Sequence, residues 1–111
     1  MLARTLADAK LLVELGESKE RNLFRIRAGQ AAMEQSLAAA DAWLASNAVA
    51  DTDRSLVMTY RDGAELIRNG MAEAQAGFLR LDFDRVAQAA AEVRAGERQL
   101  RHALAELDES S

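Results

Sequence analysis

The stretch Gly77-Phe78-Leu79-Arg80-Leu81-Asp82-Phe83-Asp84-Arg85-Val86 decides how many helices the chain makes. Apolar residues recur at a 3-4 spacing on both sides of it. Val57, Tyr60, Ala64, Ile67, Met71, Ala74, Phe78 and Leu81 come before, and Phe83, Val86, Ala90, Val93, Glu97, Leu100, Leu104 and Leu107 come after. Such a seam faces one neighbour along its whole length. One unbroken helix of about 55 residues, from Asp53 to Asp108, satisfies it. A tight reversal satisfies it too, with an aspartate on either side of Phe83 to cap a new helix and Phe83 stapled onto its first turn at Val86 or Ala87.

The sequence upstream favours the reversal. Leu23, Ile26, Gln30, Met33, Leu37, Ala40 and Leu44 form another seam of the same kind. The residues Ser46 to Asp53 then read as a helix-helix turn, with Asn47 in the left-handed closing position and Asp51, Thr52 or Asp53 as the next cap. A reversal at Asp82 divides the chain into helices over about 18–46, 53–80 and 83–108. These are matched rods of about 40 Å running up, down and up. A fourth, shorter piece spans about 2–15, with Leu2, Leu6, Ala9 and Val13 on one face and Leu11 and Leu15 beside it. Gly16 with Glu17-Ser18 ends it, and the stripe loses phase at Gly16 and Lys19, which predicts a bend. The expected fold is all-α: an antiparallel up-down helical bundle of three long helices plus a short N-terminal amphipathic helix, four-helix-bundle-like, with 1–111 as a single domain.

Composition agrees. Of 111 residues half are apolar, 24 are alanine, five are aromatic, and there is neither proline nor cysteine. A chain of this length supports one core. The net charge of -4 argues against nucleic acid, whose phosphates demand a concentrated basic face. No thiolate metal site or disulfide is possible without cysteine. The longest N-terminal apolar run, Leu11 to Val13, is too short for a signal segment or a membrane span. The default expectation is a cytoplasmic protein. Twelve arginines against two lysines, with the alanine excess, suggest a GC-rich bacterial genome.

Two features single out candidate positions. The first is a local repeat, Tyr60-Arg-Asp-Gly63, Ile67-Arg-Asn-Gly70 and Ala74-Gln-Ala-Gly77. Each interior glycine costs about 1 kcal/mol relative to alanine, so Gly63, Gly70 and Gly77 call for close backbone approach. Gly29, Ser36 and Trp43 hold the same position in one neighbouring helix, and Ala89, Gly96 and Ala103 in the other. The strip serves either packing within the chain or a groove for a partner helix or second copy. Trp43, one place off its seam, could anchor a partner or cover the N-terminal helix. Leu2 and Leu6 add an apolar face beyond what three helices need.

The second feature is polar residues on the seams. Gln30 and Glu97 are the long ones, and a buried carboxylate demands a partner. Counting from the turns sets Glu97 level with Arg68, with Arg101 one turn along its own helix. The set is either a structural ion pair or a site for a polar ligand. His102 falls on the outer face, and Glu34, Asp41, Glu65, Glu73 and Glu92 project off the seams. This denies the inward carboxylate and histidine pairs of a di-metal bundle. Ser36, Ser46, Thr52, Ser55 and Thr59 have no base at helical spacing.

Gly77 to Ala87 resembles the turn of a tetratricopeptide repeat, but Leu81 stands where that family has glycine and no second copy occurs at a 34-residue period. Trp43-Leu44-Ala45 before a turn is similar to the small WxG secretion-substrate hairpins, without their glycine. The layout is also similar to chemoreceptor four-helix sensor domains and small export chaperones, likenesses of fold alone. The expected function is therefore a non-catalytic helical-bundle protein-interaction module, an adaptor, assembly factor or small chaperone. Its partner is itself, as a homodimer, or another helical protein, with no cofactor, metal, nucleic acid or membrane insertion. The alternative is a small-molecule-sensing bundle of the chemoreceptor type, with a ligand near Gln30, Arg68 and Glu97.

Overall fold

A computed structural model of the chain describes residues 2–17, 23–46 and 53–110. They form four helices packed together, α1 (Leu2–Glu17), α2 (Leu23–Ser46), α3 (Arg54–Leu79) and α4 (Phe83–Ser110), with no strand among the described residues. The particle measures 45 × 20 × 20 Å, and α4, at 28 residues, rises about 42 Å at 1.5 Å per residue. The turn centred on Asn47, and the stretch where the N-terminal stripe loses phase, lie outside the described residues. The described part of α1 runs to Glu17, within the stretch from Gly16 to Ser18 expected to close it.

The reversal at Asp82 is present, and the 55-residue helix is not. Two backbone bonds close α3, from Leu81 N to Phe78 O at 3.2 Å and from Asp82 N to Gly77 O at 2.8 Å. This pair is the Schellman arrangement, and it places the residue after the C-cap in the left-handed region. Leu81 occupies that place at φ 55. Asp82 then opens α4: its Oδ1 accepts from Arg85 N at 3.2 Å, and its carbonyl accepts from Val86 N at 3.2 Å. One aspartate thus ends one helix and caps the next. Arg85 Nε donates to Glu73 Oε2 at 2.6 Å, bracing the hairpin across the turn and holding the Glu73 carboxyl below its ordinary range. Phe83 is the first residue of α4, not the residue before its cap, and is 63% exposed while sharing a cavity wall with Val86 and Ala87.

The seams supply the core. Met33, Leu37 and Ala40 of α2, Tyr60, Ala64, Ile67 and Met71 of α3, and Val93, Leu100 and Leu104 of α4 are buried together. The α3 and α4 backbones approach most closely of all pairs, and the glycines are the reason. A Cβ on Gly63 would stand 2.9 Å from the Gly96 carbonyl, on Gly70 2.6 Å from Val93 Cγ2, and on Gly77 2.8 Å from Val86 Cγ2. Rising numbers in α3 meet falling numbers in α4, so the two run antiparallel.

α1 folds back onto α2 and α4. Its innermost residues are Thr5, Ala9 and Leu12, with Leu6 and Val13 packed at the side. The helix is therefore turned a little from the face expected. The Thr5 hydroxyl donates to the Ser36 carbonyl at 3.3 Å, and the Ser36 hydroxyl donates to Asp8 Oδ2. Those bonds satisfy polar groups that burial would otherwise penalise.

Between α2 and α3 the helices stand further apart and touch through long side chains. The Tyr60 phenol donates to Asp41 Oδ1 at 2.6 Å and lies 3.2 Å from the Leu37 carbonyl, while Arg68 Nη2 donates to Asp41 Oδ2 at 2.8 Å. Burial and the Asp41 carboxylate together push the Tyr60 phenol well above its ordinary pKa of 10.0.

Candidate docking end and apolar cavity

The wider spacing of α2 from α3 has a consequence at the end that carries the α3–α4 turn. There the side chains no longer fill the interior, and a cavity of about 380 Å³ opens between all four helices. Leu12 from α1, Ile26 and Gln30 from α2, Met71 and Phe78 from α3, and Val93 from α4 are among its walls. Ala74, Ala87, Ala89 and Ala90 line it as well, and these short side chains leave the space. The cavity is open to solvent, with Phe83 in its wall 63% exposed, and water gains little from walls with so few polar groups.

Gln30, 5% exposed, is the one polar side chain in the lining, and its Oε1 accepts from Gln75 Nε2 at 3.0 Å. No lining residue is ionisable. The same end carries most of the large apolar side chains that stand in solvent. Leu79 is 82% exposed, Leu81 74%, Phe83 63%, and Phe24 in the first turn of α2 85%; Leu11 and Met58 are the others among the described residues. Single exposed apolar residues are ordinary, whereas a group on one surface marks a place of contact.

The positions singled out from sequence scatter. Gly63, Gly70 and Gly77 offer no groove to a partner, because α4 already occupies the strip, down to contacts with the Gly96 and Ala89 carbonyls. Arg68 does not meet Glu97; it reaches across to Asp41, because the wider gap leaves that carboxylate within range of a long side chain. Glu97, 4% exposed, is satisfied within its own helix, its two oxygens taking Arg101 Nε at 3.0 Å and Nη2 at 2.8 and 2.5 Å. The expected polar site of Gln30, Arg68 and Glu97 is thus three separate arrangements. Only Gln30 faces the cavity.

Trp43 is half-buried against the core, as is Leu6; the Leu2 side chain lies outside the described residues. His102 is exposed beside Glu106, its Nε2 3.9 Å from Oε1. Among the described residues no three histidines, aspartates or glutamates converge as a metal site would require, and no helix is long and apolar enough to cross a membrane. The cavity escaped sequence reading because Phe78, Val86 and Met71 count as core in any helical pattern. The available signal was the density of alanine over 87–91.

Compared with protein-family profiles, with curated protein sequences and with solved structures, the chain has no significant match in any of the three.

Proposed function

We propose that the chain is a non-catalytic protein-interaction module, an adaptor, assembly factor or small chaperone, that works as a homodimer or against another helical protein. The docking surface in this reading is the apolar end at the α3–α4 turn, not the glycine strip. The observation that carries it is the grouping of Leu79, Leu81 and Phe83 within five residues, each more than 60% exposed, with Phe24 at the same end. Leaving such residues in solvent forgoes about 25 cal/mol for each Å² of apolar area that contact would cover.

The proposal takes the four helices as an up-down bundle. Contacts of Thr5 and Asp8 with Ser36, of Leu12 and Leu15 with Gly29, and of Gln30 with Gln75 beside Asp41 with Tyr60 support opposite directions for successive helices. It also takes the protein to act in the cytoplasm by default, and in a bacterium on its arginine and alanine content.

Size-exclusion chromatography with light scattering tests the reading. A dimer that dissociates on dilution is expected, and a monomer at every concentration rules out self-association through this end. The competing proposal, a small-molecule sensor of the chemoreceptor type, draws its support from the cavity and loses the polar site first expected for it.

A further inference from the structure

We infer that the cavity between the four helices is a binding site for one uncharged, apolar small molecule, such as a medium-length aliphatic alcohol or a compact aromatic compound. The volume of about 380 Å³ lies within the range of small-molecule pockets, about 300–1,000 Å³. All four helices contribute walls, from the buried Leu12, Met71 and Val93 to Phe83 and Ala87 at the solvent side. The wall chemistry sets the class. Leu12, Ile26, Met71, Phe78 and Val93 offer hydrocarbon, sulfur and ring contacts, and no lining group carries a charge. A charged head within these walls would stay unpaired at high cost. Gln30 is the one polar side chain of the wall, with its oxygen engaged by Gln75; a carboxamide suits a hydroxyl or carbonyl on an otherwise apolar molecule.

This inference shares Phe83 with the docking proposal, since that ring lines the cavity, whereas Leu79 and Leu81 are not among its walls. The test is fluorescence titration of the full chain with N-phenyl-1-naphthylamine, an uncharged probe, followed by displacement. Saturable uptake of one probe per chain is expected, with 1-decanol displacing it at least about tenfold more effectively than decanoate at neutral pH. Ala74→Phe and Ala90→Leu fill the cavity from two helices, and each should weaken probe binding about tenfold or more while circular dichroism remains helical. Two variants guard against one failing to fold. Leu81→Ser, outside the lining, should bind as the parent does.

Absence of saturable uptake overturns the inference, as does undiminished binding in both folded alanine variants. Equal displacement by decanoate overturns the class of ligand. Binding lost in Leu81→Ser but kept in the alanine variants assigns the probe to the docking end or to a junction between copies, and also overturns it. A chain that is monomeric throughout yet binds the probe rules out self-association through the docking end and leaves this inference standing.

Discussion

Gly96 and Gly63 face each other across the α3–α4 interface so closely that a Cβ built on Gly96 would stand 2.5 Å from the Gly63 carbonyl oxygen. The obstacle is backbone on a rigid helix, with Ile67 N only 3.0 Å away as well. Gly96→Ala is therefore expected to lower stability by about 2 kcal/mol in urea unfolding, overpacking outweighing the roughly 1 kcal/mol gained in helix propensity. Gly29→Ala is the contrast. Its new Cβ meets the end of a flexible side chain, Leu15 Cδ1 at 2.9 Å, and the variant should be unchanged or up to about 1 kcal/mol more stable. Equal losses at both sites would contradict this distinction.

Leu81 holds a left-handed conformation that costs a β-carbon residue about 1–2 kcal/mol, and its exposed side chain recovers little by contact. Leu81→Gly should raise folding stability by about 1 kcal/mol, read by denaturation at a concentration low enough to keep the chain monomeric. A loss of stability would mean that the side chain contributes packing that its 74% exposure does not indicate.

Tyr60 is the only tyrosine, so its ionisation can be followed directly by tyrosinate absorbance. Its phenol is raised above the ordinary value of 10.0, first by burial and then by the hydrogen bond to Asp41. A group whose folded pKa is raised contributes stability that is complete below the unfolded value and falls away above it. Stability should therefore decline above pH 10, tyrosinate should appear only together with unfolding, and Tyr60→Phe should abolish the alkaline slope. At neutral pH the same variant should lose about 1–2 kcal/mol with the charged hydrogen bond to Asp41. A phenol that titrates normally in the folded chain would contradict the burial account.

Glu97 and Arg101 separate a pair's presence from its integrity. Removing only the cation leaves a buried carboxylate uncompensated, whereas exchanging the carboxylate for an apolar side chain removes the requirement for a partner. Arg101→Met should thus destabilise the fold, while Glu97→Leu should stay within about 1 kcal/mol of the parent or exceed it. Thermal unfolding of the two variants side by side checks the order, and a more damaging Glu97→Leu would reverse the argument.

Much of this architecture is legible in the amino-acid order, for identifiable reasons. Met33, Leu37, Ile67, Leu100 and their seam neighbours recur at 3-4 spacing, and a stripe of that period has one way to leave water. Asp82 offers a cap because its carboxylate can satisfy open amide groups, although the seam stays in phase for an unbroken helix as well. Leu81 does not declare its conformation, since nothing in a leucine favours positive φ; the closing bonds to Phe78 and Gly77 impose it. The burial of Thr5 is hidden because it depends on a carbonyl 31 residues away. Arg68 was placed beside Glu97 by axial level, and level says nothing about which of two neighbouring helices a long side chain reaches toward. The cavity is hardest to foresee, being a sum of small omissions from four helices.

The central claim is that the exposed apolar end at Leu79, Leu81 and Phe83 is where the protein meets its partner, a second copy first among them. Sedimentation velocity over a dilution series of the parent, Leu81→Gly and Met58→Ser tests it most directly, since Met58 is also exposed, at 65%, but belongs to the first turns of α3, away from that end. The expected result is a dimer for the parent and Met58→Ser, and a weakened dimer for Leu81→Gly despite its more stable fold. Identical monomers for all three, or a dimer that only Met58→Ser disrupts, would contradict the claim.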